Sequence, residues 1–98
     1  MKLKNGLATL LLVISACEQK ISEPIQNGVL YNGVPYEVRC FEDCFGNKGM
    51  IATLSFKGYN EDFYSHGNRL VNPVDSYEIR DKRIKEQLDK YFTQCANK

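Results

Sequence analysis

Four cysteines, Cys17, Cys40, Cys44 and Cys95, and one histidine, His66, carry most of the chemical potential of this 98-residue chain. A thiol can be acylated, oxidised to a disulfide, bound to a metal or used as a nucleophile, and its surroundings decide which. Proton transfer needs a base placed beside the reacting group. His66 precedes Gly67-Asn68 in a stretch with turn character and reads as a surface residue. Glu42 and Asp43 beside Cys44, and Glu61 beside Asp62, are neighbours in sequence. Adjacency does not set two carboxylates across a cleft, so solvated charge is their expected role. Gly46-Asn47-Lys48-Gly49 is too short for a phosphate-binding loop and lacks the helix pattern that follows one. No catalytic set emerges and no cofactor is implied. The chain reads as a protein that is not an enzyme and acts by contact.

Cys17 is set apart by what precedes it. A basic start (Lys2, Lys4) leads into an apolar run from Leu7 to Ile14 and then into small residues, the layout of a secretory signal. The run is well short of the roughly 20 residues that a transmembrane helix needs. Ile14-Ser15-Ala16-Cys17 resembles the lipobox of bacterial lipoproteins, in which a thiol follows two small residues and a branched aliphatic one. The resemblance implies cleavage after residue 16, a diacylglycerol on Cys17 and a further acyl chain, such as palmitate, on the new amino group. One acyl chain gives marginal membrane binding and three give an anchor that does not let go. Residue 18 is Glu rather than the Asp that often retains such proteins at the inner membrane. By the same resemblance, the expected location is the inner leaflet of the outer membrane, with the domain facing the periplasm.

Loss of residues 1–16 removes Lys2 and Lys4 and turns the chain's formal +1 into −1. No basic excess is left to favour nucleic acid. What remains makes one small domain, whose core calls for covalent or partner support. Export places the other thiols, Cys40, Cys44 and Cys95, in an oxidising compartment, where disulfides outcompete a structural metal built from them and His66. With Cys17 used by lipid their number is odd, which points to a disulfide-linked homodimer. Within the chain, Cys40–Cys95 and Cys44–Cys95 are the favoured alternatives and Cys40–Cys44, closing a five-residue loop, comes last. A bridge across some fifty residues restricts the unfolded chain by about 4 kcal/mol.

The elements that must position these groups change period along the chain. Residues 17–27 are polar and contain Pro24, and read as a lipid-anchored tether; residues 28–98 read as the globular domain. Asn32-Gly33 predicts a two-residue type I′ hairpin between Val29-Leu30-Tyr31 and a strand from Val34 to Phe41. Tyr36, Val38 and Cys40 share one face of that strand, and Met50, Ala52, Leu54 and Phe56 share one face of the next. Phe63 to Val71 predicts a further hairpin around His66-Gly67-Asn68. Tyr31, Tyr36, Tyr59 and Tyr64, with Phe63, supply either an interaction surface or core and hairpin pairs. From about residue 77 to 95, Ile84, Leu88, Tyr91, Phe92 and Cys95 recur at helical steps, and Asp75 with Glu78 resembles a capping box. The predicted fold is α+β, a small antiparallel sheet covered by a C-terminal amphipathic helix. Ile84, Leu88, Tyr91 and Phe92 form the candidate partner-binding face of that helix.

A lipobox, a short mature domain, an odd thiol count and a C-terminal helix resemble the outer-membrane lipoprotein subunit of phage spanins, in the longer, folded form expected of T-even phages. The resemblance implies a partner, the inner-membrane spanin subunit with its periplasmic coiled coil. It also implies a role in the last step of host lysis, disruption of the outer membrane. Two other classes are consistent with the sequence. One is a superinfection-exclusion lipoprotein that blocks an outer-membrane receptor through an aromatic surface such as Tyr59, Phe63 and Tyr64. The other is a periplasmic inhibitor or immunity lipoprotein.

Overall fold

A computed structural model describes residues 18–97; the signal sequence and Cys17 lie outside the described residues. Among the described residues, seven strands and one helix follow in order. They are β1 (Lys20–Ile21), β2 (Gln26–Val29), β3 (Pro35–Glu42), β4 (Lys48–Phe56), β5 (Tyr59–His66), β6 (Arg69–Asn72), β7 (Tyr77–Glu78) and α1 (Lys82–Ala96). Strands β3 to β7 form an antiparallel meander, each paired with the next. β2 and β1 share the outer edge of β3, β2 along its first half and β1 along its last residues. The fold is α+β, as the alternation and the late change of period indicate.

Alternation in β3 and β4 decides which side the helix covers. Tyr36, Val38, Cys40, Met50, Ala52 and Leu54 are buried on one face, where Ile84, Leu88, Tyr91 and Cys95 of α1 meet them. Phe63, Leu70 and Ile79 extend the same core toward β7. On the opposite face Arg39 pairs with Glu37 at 2.9 Å, and Thr53 donates a 2.7 Å hydrogen bond to Asp62. That face still contains an apolar stripe. Phe41 packs against Tyr64 with ring centres 5.7 Å apart, and a Cβ on Gly49, the cross-strand neighbour of Phe41, would lie 2.7 Å from that ring.

Three local expectations give way to different geometry. Residues 20–21 and 26–29, within or bordering the stretch read as a tether, are strands. Their side chains are exposed and leave no alternation to read, and pairing is made by backbone groups. Ser22 ties them further, donating from N to Cys40 O at 2.8 Å and accepting from Cys40 N through Oγ at 2.9 Å. The β2–β3 turn is not type I′. Gly33 N donates to Leu30 O and Leu30 N to Val34 O, and Gly33 alone in this turn has positive φ, at 87°. This is a three-residue loop closed by a glycine bulge. The helix begins at Lys82 rather than near 77. Asp81, not Asp75, is its N-cap, accepting from Arg83 N and Ile84 N. Tyr77 and Glu78 add an edge strand instead, paired with Asn72 and Val71.

The meander gives the domain two unlike ends. One collects β1, the β3–β4 turn, the β5–β6 turn and the C-terminal end of α1. The other collects the β2–β3 and β4–β5 turns and the N-terminal end of α1.

Candidate functional site

The cysteines resolve one of the open alternatives. Cys40 and Cys95 form a disulfide with their Cα atoms 5.1 Å apart, joining the last turn of α1 to β3. Both are buried. Cys44 lies exposed in the β3–β4 turn, and His66 is exposed at the end of β5. The set Cys40, Cys44, Cys95 and His66 is therefore not gathered as ligands. Asp43 is occupied by its own turn, accepting from Phe45 N, Asn47 N and Asn47 Nδ2. These bonds hold its carboxyl below the usual range, the Asn47 side chain first among them.

The helix face proposed for a partner is part of the core. Ile84 is 9% exposed, Leu88 0% and Tyr91 4%, and Phe92 packs at the margin. Among the described residues α1 is the helix that covers the sheet, so the apolar stripe is consumed within the chain. The residues that α1 presents outward are charged or polar, among them Arg83, Glu86, Asp89 and Lys90.

A different surface is open to a partner. Because α1 lies over β3 and β4, no helix among the described residues lies over the same side of the sheet beyond the start of α1. Two adjoining hollows there, of about 250 and 400 Å³, share Phe56 and Tyr77. Leu54, Phe63, Ile79 and Ile84 line the first; Tyr59, Glu61 and Asp75 complete the second. Phe56 and Tyr59 stack across the β4–β5 hairpin with centres 5.4 Å apart and planes 27° from parallel. Tyr77 meets buried Phe63 edge-on at 5.9 Å. Tyr59 and Tyr77 remain 57% and 59% exposed. Asn72 shapes the β6–β7 connection by accepting from Val74 N and Asp75 N, and Ser76 turns the chain with φ at 56°. Together these deliver Asp75 and Tyr77 to the groove.

Asp81, which lines the first hollow, is held in place from outside it. Tyr31, from the β2–β3 turn, donates its hydroxyl to Asp81. Its backbone N donates to Gln87 Oε1 at 2.7 Å, and its ring lies under the Arg83 guanidinium at 5.2 Å. The Tyr31 hydroxyl, followed by the two amides at the helix start, holds the Asp81 carboxyl low; the same bond pushes Tyr31 up. Arg69 likewise binds Glu78 at 2.8 Å and holds its carboxyl down.

Rings open on one face and carboxylates at the rim suit binding by stacking and hydrogen bonding. The sequence places Tyr59 among surface aromatics but groups it with Phe63 and Tyr64. The structure separates them: Phe63 is buried beneath the groove and Tyr64 lies on the opposite face against Phe41. Glu61, Asp75 and Tyr77 escape sequence reasoning as site residues, since a helix predicted from about 77 absorbs Tyr77. Asn72-Pro73, a stop before any helix could begin, is the available signal for a turn and a new strand. Comparison with protein-family models, curated proteins and solved structures finds no match to this chain.

Proposed function

We propose that this chain is an envelope lipoprotein, anchored by lipid on Cys17 in the inner leaflet of the outer membrane, whose domain works by binding rather than catalysis. The observation that carries the reading is Ile14-Ser15-Ala16-Cys17 at the end of an apolar run. The Cys40–Cys95 bridge supports it, because disulfides persist in the compartment to which such a leader delivers a chain. Within this class the proposed role is that of the outer-membrane subunit of a phage spanin complex, which links the two membranes and disrupts the outer one at the end of lysis. The inner-membrane subunit's coiled coil would then meet the groove of Phe56, Tyr59 and Tyr77 or the charged side of α1, the apolar side being occupied.

The test has two parts. Mass spectrometry of the purified N-terminal peptide is expected to show an acylated Cys17, and Cys17→Ser to abolish both palmitate labelling and membrane partitioning; a labelled, membrane-bound Ser variant contradicts the anchor. Deletion of the gene is expected to arrest lysis after wall degradation, with rescue by the lipidated protein and its inner-membrane partner together. The spanin role also carries a disulfide-linked homodimer, read by non-reducing electrophoresis; monomer alone removes that part. A second reading, an exclusion or inhibitor lipoprotein, is favoured by one feature, the preformed aromatic groove on a disulfide-closed fold. Protection of cells from infection, or of a periplasmic target from an enzyme, would select it.

A further inference from the structure

We infer that the domain does not stand off from the membrane but lies against the lipid surface through the end that carries β1 and the β3–β4 turn, with Phe45 as its apolar contact. The inference rests on the proposed lipid at Cys17 and adds an orientation to it. Only Glu18 and Gln19 separate Cys17 from Lys20, a reach of about 10 Å at most. Lys20 is not free to move away, because it is paired with Glu42 and Ile21 with Phe41. The turn that follows Glu42 is thereby held at the bilayer.

That turn presents what an interface takes up. Phe45 is 84% exposed at its tip, and Ile21, paired with Phe41 at the same end of the sheet, is 52% exposed. Phe45 is held outward by a rigid turn, since Asp43 accepts from Phe45 N at 2.9 Å and Asn47 N at 2.8 Å, and Gly46 supplies the positive φ of 85°. A shallow apolar hollow of about 210 Å³ opens between Ile21, Phe41 and the disulfide, flanked by Lys20 and Lys48. Lysine stems can lie along acyl chains while their charges stay among the headgroups, and exposed Phe beside Lys is the composition of surface-bound segments. Glu42 and Asp43 offset the two lysines, so the contact is apolar in origin and needs no anionic lipid.

The chain has no Trp, so Phe45→Trp installs a single reporter, with Lys57→Trp in the opposite turn as control. The residues of β4 between them span about 27 Å at 3.4 Å per residue. Both variants are prepared lipidated in phosphatidylcholine vesicles, with and without brominated acyl chains. The indole of the Phe45→Trp variant is expected to emit to the blue of the one in Lys57→Trp. It should also be quenched several-fold more strongly, with no change when salt is raised to about 0.5 M, where charge contacts are screened. Equal emission and equal quenching in the two variants overturn the docking. The mass of the N-terminal peptide from the same sample separates the two claims. An acylated Cys17 with an unquenched reporter in Phe45→Trp overturns the orientation alone, whereas an unmodified Cys17 overturns the anchor and the orientation with it.

Discussion

Asp81 shows how much one short side chain decides. It caps α1 through two amides, receives the Tyr31 hydroxyl from a turn fifty residues earlier and lines the first hollow of the groove. Its carboxyl titrates below the ordinary 3.8 in the fold, first because of Tyr31 and then because of the helix amides. The unfolded chain therefore takes up this proton at a higher pH than the folded one, and the stability Asp81 contributes is complete above the ordinary value and lost as pH falls through the folded one. Asp43 and Glu78 are depressed in the same sense. The urea midpoint is expected to hold between pH 7 and about 5 and to fall steadily below. In Asp81→Asn, which keeps a capping oxygen, the deficit relative to the native protein should be largest at neutral pH and shrink in acid. A deficit independent of pH would show that the charge has no part in it.

Among the elements, α1 depends on two fastenings, apolar burial along Ile84, Leu88 and Tyr91 and the Cys40–Cys95 bridge. The bridge closes a loop with a sequence separation of 55, which corresponds to about 4 kcal/mol of restricted unfolded-state entropy. Cys40→Ala with Cys95→Ala is expected to lower unfolding free energy by roughly that amount, measured by chemical denaturation, and addition of a reductant to the native protein should do the same. A loss under about 1 kcal/mol would mean that burial alone holds the helix. Period and alternation make the central strands and the helix body legible in the sequence, because Tyr36-x-Val38-x-Cys40 and Ile84-x₃-Leu88 report side-chain burial directly. The edge elements are less legible for the same reason. β1 and β7 are held by backbone hydrogen bonds that leave no mark in residue type, and of β2 the hairpin with β3 is legible but not its start at Gln26. The start of α1 is easily misread because Asp75 and Asp81 are alike in sequence and differ only in which one reaches helix amides.

At the scale of the whole molecule, the groove is assembled from the β4–β5 hairpin, the β6–β7 connection and the helix start. Such a site cannot be read from spacing, since Tyr59 and Tyr77 share it only after the meander has folded. Tyr59 and Tyr77 are its exposed rings, whereas Phe63 and Phe56 belong to the core and its margin. On the proposed reading, Tyr59→Ala with Tyr77→Ala weakens capture of the inner-membrane subunit at least tenfold in a pull-down or calorimetric titration, with the thermal midpoint changed by no more than a few degrees. Lost binding together with a collapsed midpoint would instead make these rings structural. Tyr64→Ala, on the opposite face, is the matched control.

The edge of β3 also sets how the molecule answers a pull. β1 starts beside Glu42, and β1 and β2 run antiparallel along β3 toward Pro35, so tension applied at Lys20 acts along the strands. The backbone hydrogen bonds of both pairings, with Ser22 bridging the gap between them, are then loaded together in shear instead of being unzipped one at a time. The helix's last turn is riveted by its sulfur bridge to the same strand. Force entering at Lys20 is thus spread across the central sheet before it reaches the far turns.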